Sequence, residues 1–206
     1  MSPPVFRRQG ILFVLSAPSG TGKTTLCENL RATPDFIYSV SCTTRAPRPG
    51  EVDGTDYHFL SREEFLGKIA RGEMLEYAVV HGHYYGTLKA TVKEALGHGT
   101  DVLLDIDVQG AATIRQTDDA MLRDSLVDVF IMPPTLEELE KRLRKRGTET
   151  EEQVLRRLHT GHEEMKLWPV YKYTILSGSM EEDLTKFRAI MRAERYLSRR
   201  LELHEG

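Results

Sequence analysis

The sequence is poor in cysteine: of its 206 residues only Cys27 and Cys42 carry thiols. They form no CxxC pair and no metal-like Cys/His spacing, which excludes a disulfide scaffold or a structural zinc site and leaves two buried free thiols as the expectation. Long apolar runs are missing too. The longest, residues 11–15 (Ile-Leu-Phe-Val-Leu), falls far short of the roughly 18 to 20 residues that span a bilayer, so neither a transmembrane helix nor a membrane partner is expected. Neither sign of charge dominates, with 28 Lys and Arg against 31 Asp and Glu. No global basic field therefore draws the chain to nucleic acid. Arg7 and Arg8 precede an apolar stretch too short for a secretory signal, and a cytoplasmic location is expected. There is no internal repeat, low-complexity tract or Gly/Ser linker to divide the chain.

What is present is the balance of a globular protein, 40% hydrophobic and 29% charged residues, in a length that suits one domain. Short, unalternating apolar runs at 11–15, 102–107, 127–132 and 173–176 read as strands of a sheet covered on both faces. Between them lie helical patterns with legible starts: Ser61 with Glu64, Thr135 with Glu138 and Thr150 with Gln153 each fit a capping box. Leu136, Leu139 and Leu143 then recur on one helix face. Strand and helix in alternation predict a parallel α/β sheet.

Directly after the first strand the chain reads Ser16-Ala17-Pro18-Ser19-Gly20-Thr21-Gly22-Lys23-Thr24-Thr25, and a helix follows. That context makes the run a phosphate-binding loop. Gly20 and Gly22 let backbone N–H groups turn toward an anion, the helix aims its positive end there, Lys23 adds a full charge and Thr24 a hydroxyl for Mg²⁺. Ala17 stands where the general G-x-x-x-x-G-K-[ST] pattern has its first glycine. Asp105 and Asp107, at the end of a later strand, suit a Mg²⁺ ion or its water shell.

Residues 36–87 break the rhythm with Pro47, Pro49, Gly50 and Gly54 among short β-prone pieces (38–43, 57–60, 75–80) and one helix over about 61–70, which predicts an inserted α+β lobe. Arg45 and Arg48, stiffened by Pro47 and Pro49, could present two guanidinium forks to a phosphate monoester. Tyr57 and Tyr85 could add phenolic donors. Glu76 lies in a strand-like run, where a carboxylate either faces solvent or accepts hydrogen bonds; position alone does not decide. Residues 143–168 are densely charged with a thin apolar stripe, as suits an arm over a site. The stretch 181–203 reads as a helix with Leu184, Phe187, Ile190 and Met191 inward and Arg188, Arg192, Arg195 and Arg199 on a solvated face. His81 with His83, and His159 with His162, make no zinc pattern and are expected on the surface.

Several of these motifs, in register, resemble the guanylate kinase family over residues 10–196. They are the loop at 19–23, Ser39-Val40-Ser41-Cys42-Thr43-Thr44-Arg45, Pro47-Arg48-Pro49-Gly50-Glu51, Asp56-Tyr57-His58-Phe59, Tyr84-Tyr85-Gly86-Thr87, Asp105-Ile106-Asp107-Val108-Gln109-Gly110, Pro133-Pro134 and residues 142–147. The resemblance implies one domain over 1–206. Its parts would be a P-loop three-layer parallel sheet core (about 10–35, 88–142 and 169–206), a small α+β GMP-binding lobe (about 36–87) and a helical lid (about 143–168). It implies transfer of the γ-phosphoryl of ATP to GMP with Mg²⁺. Ala17, Pro18, Ser19, Gly20, Thr21, Gly22, Lys23, Thr24 and Thr25 would hold ATP with Arg142 and Arg146. Thr24 would hold the metal, with Asp105 joining through water. Arg45, Arg48, Tyr57 and Tyr85 would grip the GMP phosphate. Glu76 would read the guanine edge, with Ser41, Thr87, Asp105 and Asp107 around it. Lys23, Arg45, Arg146 and Arg157 would be the catalytic charges. dGMP is a further candidate acceptor, and the chain would act as a monomer or homodimer.

Where the family commonly has Asn-Asp after the last core strand, this chain has Ser177-Gly178-Ser179, a departure that falls at the adenine end of the ATP site and bears on donor preference. Domains similar to guanylate kinase also serve as phosphopeptide-binding modules without catalysis. Those typically lack an intact P-loop, whereas Gly22-Lys23-Thr24 is present here.

Overall fold

The computed structural model describes residues 5–32, 35–80, 82–145 and 150–204. Strand β1 (Val5–Arg8) is followed by β2 (Leu12–Ser16), buried along its whole length, and helix α1 (Lys23–Arg31). Then come β3 (Ile37–Tyr38), β4 (Cys42–Thr43), β5 (His58–Phe59), α2 (Arg62–Ala70), β6 (Met74–Val80) and β7 (His83–Leu88). The chain continues through α3 (Lys89–Gly97), β8 (Val102–Asp105), α4 (Val108–Arg115), α5 (Ala120–Ser125) and β9 (Leu126–Met132). It closes with α6 (Leu136–Lys145), α7 (Glu151–Met165), β10 (Tyr173–Leu176), α8 (Met180–Arg195) and β11 (Leu201–His204).

Five parallel strands in the order β10-β9-β2-β8-β3 form the core sheet. Successive residues of its middle strands face different cores, which is why those strands read as unbroken apolar runs. Leu12, Val14, Val102 and Leu104 pack with α3, α4 and α5 on one face. Phe13, Leu15 and Leu103 pack with α1 and α8 on the other, where Phe13 meets Phe187 edge-on at 6.1 Å. The result is the expected three-layer α/β core. A second, mixed sheet in the order β5-β4-β7-β6 stands apart and, with α2, closes on a small core of Cys42, Phe65 and Met74.

Four expectations need correction. Residues 38–43 are not one strand: Ile37–Tyr38 is the edge of the core sheet beside β8, and only Cys42–Thr43 joins the lobe, so the lobe begins after Tyr38 and not at 36. Two-residue strands carry no periodicity by which to separate them. Strand β8 stops at Asp105, because Asp107 leaves the ladder to cap α4, accepting from the Gly110 N–H at 2.8 Å. The last helix ends at Arg195, and Leu201–His204 pairs antiparallel with β1. Its basic face is not merely solvated: Arg188 and Arg195 both bind Asp35, and Arg195 also binds Asp101.

The capping boxes at Ser61 and Thr150 close reciprocally. At Thr135 only half the box forms: its hydroxyl accepts from the Glu138 N–H (3.1 Å), while the Glu138 carboxylate is taken by Arg142 (2.9 Å). Both cysteines are free and buried. Among the described residues no helix is long and apolar enough to cross a membrane.

Candidate active site

The loop from Ala17 to Gly22 joins the carboxyl end of β2 to the start of α1. Gly20 and Gly22 have φ of 96° and 98°, a left-handed conformation that glycine adopts without strain. Thr21 folds the loop back on itself, its hydroxyl donating to the Pro18 carbonyl at 2.7 Å. Gly22 is the N-cap of α1 and brings no side chain to it. The first-turn amides are thus left for a ligand, as an anion site requires. Lys23 reaches across to β8, with Nζ 2.8 Å from the Ile106 carbonyl and 2.6 Å from Asp105 Oδ1. Burial works against its charge, but Asp105 first, with Cys27 and Asp107 behind it, holds the lysine pKa above its ordinary value. Thr24 and Thr25 are exposed in the first turn of α1.

Helices α6 and α7 cover this loop. A Cβ on Gly20 would fall 2.6 Å from Leu143 Cδ2, so α6 rests directly on it. Leu139, Leu143 and Val154 hold the two helices together. Arg142 donates to the Thr21 carbonyl (3.0 Å) and to Ser177 Oγ (3.1 Å). Arg157 donates to Ser19 Oγ through Nε (3.0 Å) and Nη2 (2.5 Å). Glu164, which the sequence did not single out, accepts from the Ser19 N–H at 3.4 Å; burial raises its pKa and that N–H opposes the rise. Arg146 lies outside the described residues, as does His81. His159 and His162 are exposed on α7.

Two cavities flank the loop. One, of about 530 Å³, lies between Ala17–Thr24 and the Asp107, Arg157 and Glu164 side chains. The other, of about 320 Å³, is bounded by Gly20–Gly22, Arg142, Ser177 and Asp183. At Ser177-Gly178, where the family motif is missing, the carboxylate comes from α8 instead: Asp183 accepts from Ser177 Oγ and the Gly178 N–H, each at 2.9 Å.

In the lobe a β-bulge decides the fate of Glu76. Met74 pairs with Leu88 and Glu76 with Thr87, leaving Leu75 as the extra residue. A bulge re-aims the side chains beside it, and Met74, Leu75 and Glu76 are buried in succession. Glu76 is only 4% exposed, and its Oε1 accepts from Thr87 Oγ1 at 2.7 Å. Burial pushes its pKa up to about 7; the Thr87 hydrogen bond works against this and the nearby Asp107 charge adds to it. The carboxylate is therefore turned inward, the alternative left open above.

At the other end of the lobe the Tyr57 and Tyr85 rings lie 5.9 Å apart at 70°, with the Arg45 guanidinium 5.3 Å from Tyr57. Arg45 makes a two-pronged pair with Glu51, 2.9 Å on each arm, and Glu51 also accepts from the Arg48 N–H at 2.7 Å. Arg45 first, then that amide, holds the Glu51 carboxyl down to about 2. The Arg48 side chain is exposed, and Ser41, just before β4, accepts from the His58 N–H through its carbonyl. Glu51 sat inside the quoted motif, yet nothing in its spacing showed that it orients Arg45.

The parallel strands deliver a P-loop to their carboxyl ends, where α/β sheets bind nucleotides, and a carboxylate strand end meets its lysine there. With arginines reaching the loop from two further helices, the fold and the site define a P-loop nucleotide-binding protein. A family model described as guanylate kinase matches residues 9–194. The chain is 49% identical over 195 residues to the guanylate kinase of Maricaulis maris, covering 93% of this chain and 88% of that protein. It is 43% identical to that of Clostridium tetani over 187 residues, 91% and 88% of the two. The crystal structure of guanylate kinase from Anaplasma phagocytophilum aligns with a TM-score of 0.75 at 36% identity, over 96% of this chain and 92% of that one. This chain belongs to the guanylate kinase family.

Proposed function

We propose that the protein transfers the γ-phosphoryl group of ATP to GMP, giving ADP and GDP. The observation that carries this reading is the inward Glu76 carboxylate, 4% exposed, in a lobe opposite a P-loop. Guanine presents N1–H and a 2-amino group side by side, two donors for one carboxylate. Adenine presents a lone pair at N1, so one carboxylate oxygen would face an acceptor, and a mismatch of that kind can discriminate by several orders of magnitude.

The acceptor is a phosphate monoester with a second pKa of about 6, so it is largely ionised at pH 7 and needs no general base. One of its oxygens forms a bond to the γ-phosphorus as the bond to the β,γ-bridging oxygen breaks, and that electron pair leaves on ADP. The residues' work is to bring two polyanions together in line and to offset the charge. Arg45, Arg48, Tyr57 and Tyr85 serve the acceptor phosphate. Lys23 and the first-turn amides of α1 serve the donor, with Arg142, Arg157 and, by family resemblance, Arg146 from the lid. The cavity beside Arg142, Ser177 and Asp183 would take the donor base.

Magnesium fits the donor set. Thr24 and Asp105 offer hard oxygen ligands. Among the described residues no group of three or more His, Cys, Asp or Glu could hold a metal by itself, which suits an ion that arrives with nucleotide phosphates and keeps its waters. Thr24 would bind it and Asp105 would reach it through water. Once bound it neutralises charge on the donor phosphates.

The test is ADP production from Mg-ATP with GMP, AMP, UMP and CMP offered separately. Turnover with GMP alone is expected. Lys23→Ala and Arg45→Ala are each expected to lower it by roughly a hundredfold or more, the scale of losing one preorganised charge, with an unchanged circular dichroism spectrum. Turnover on another monophosphate would discard the guanine assignment, and GMP binding without turnover would discard the kinase reaction.

A further inference from the structure

Gly110 is the third residue of α4 and has ordinary helical backbone angles; it is not among the glycines with positive φ. Glycine within a helix is less stabilising than alanine. Nothing in the helix itself asks for it. The reason lies across the gap to β6: a Cβ on Gly110 would stand 2.6 Å from Glu76 Oε2, 3.2 Å from Glu76 Cδ and 3.2 Å from Ile106 Cδ1. The first distance is far inside van der Waals contact, so a methyl group there must displace something.

Neither backbone can give way readily. The Gly110 N–H is tied to Asp107 Oδ1 at 2.8 Å, and the neighbouring Val108 and Ala111 are packed into the main core. On the other side Leu75, next to Glu76, is in that same core, and Glu76 Oε1 is tied to Thr87 Oγ1 at 2.7 Å. What can turn is the carboxylate, at the expense of its hydrogen bond from Thr87. We infer that Gly110 is a specificity-determining position for the acceptor base: the missing side chain leaves the room in which Glu76 keeps its base-reading orientation. Asp107 takes part by pinning the glycine amide, so one of its oxygens is engaged in positioning α4. The inference rests on the reading that Glu76 contacts guanine.

The test compares GMP with IMP, which keeps N1–H and lacks the 2-amino group. Wild-type protein is measured first; if it shows no preference for GMP, the Glu76 reading itself fails. In Gly110→Ala the preference for GMP over IMP in kcat/KM is expected to fall about tenfold or more, since displacement of about 1 Å at a recognition group can cost two orders of magnitude. KM for ATP should stay within about twofold, because the P-loop is untouched. A preference kept at the wild-type ratio overturns the inference while leaving the Glu76 reading intact. If Gly110→Ala does not fold, Gly110→Ala/Glu76→Ala, which removes the obstructing carboxylate, is expected to restore folding. A double variant that remains unfolded also overturns it.

Discussion

A carboxyl whose pKa burial has raised to about 7 is about half protonated at neutral pH, whereas accepting two hydrogen bonds from a base requires the ionised form. Guanine binding at Glu76 should therefore be linked to release of a proton. As pH falls below 7 the ionised fraction drops, and GMP affinity should weaken, approaching tenfold per pH unit. The GMP phosphate titrates near pH 6 as well, so Glu76→Gln is the control, and any slope it retains belongs to the phosphate. Titration calorimetry between pH 6 and 8 measures both; equal slopes in the two proteins would remove Glu76 from the linkage. Stability has the opposite sign. Between the ordinary value of 4.5 and about 7 the folded chain holds a proton that the unfolded chain has lost, so the unliganded protein loses stability as pH rises through that window. The family resemblance implied the base-reading role of Glu76, but its burial and raised pKa were not legible, because a bulge at Leu75, invisible in a run of mixed residues, turns it inward. Lys23 was legible, since its loop motif fixes both the turn and the helix behind it.

Elements are joined here by a few buried acids. Asp101, at the entrance to β8, has a side chain 1% exposed and accepts from Arg8 (2.5 Å), Arg195 (2.6 Å) and the Ile11 N–H (2.9 Å). It thereby ties β1, the residue that leads into β2, the start of β8 and α8 at one point. Asp101→Ala would take the carboxylate from Arg8 and from the Ile11 amide, and leave Arg195 with Asp35 alone. Loss of one partner from a buried ion pair costs about 3–5 kcal/mol, and because both arginines stay partly exposed (21% and 24%) the lower end, about 3 kcal/mol, is expected from urea unfolding. A loss below about 1 kcal/mol would place the cluster among surface ion pairs. Helix starts were legible at Ser61 and Thr150, where the spacing to Glu64 and Gln153 is the cap itself; Glu138 departs because Arg142 competes for its carboxylate, and the box of Ser179 with Glu182 was missed. The ribbon of β1 with β11 was not legible. Its pairing joins opposite ends of the chain, and sequence separation of that kind leaves no local trace.

Across the whole molecule, core size is unequal. The main sheet buries an apolar layer on each face, whereas the lobe closes on Cys42, Phe65 and Met74. Fewer buried contacts lower the free energy of local opening, so amides of β4, β5 and β7 should exchange with solvent faster than those of β2, β8 and β9. Strand β6 should divide, because Leu75 belongs to the main core while Tyr77 and Val79 are exposed. GMP at a hundred times its dissociation constant adds about 2.7 kcal/mol against any opening that releases it. Lobe amides should then exchange up to about a hundredfold more slowly, with those of β9 and β10 changed far less. A non-hydrolysable ATP analogue should instead protect the loop and the amides of α6 and α7. Hydrogen exchange read by mass spectrometry separates these patterns. Equal protection of lobe and core by GMP would mean that the two sheets open as one unit, and the unequal cores would then have no consequence for how the acceptor enters.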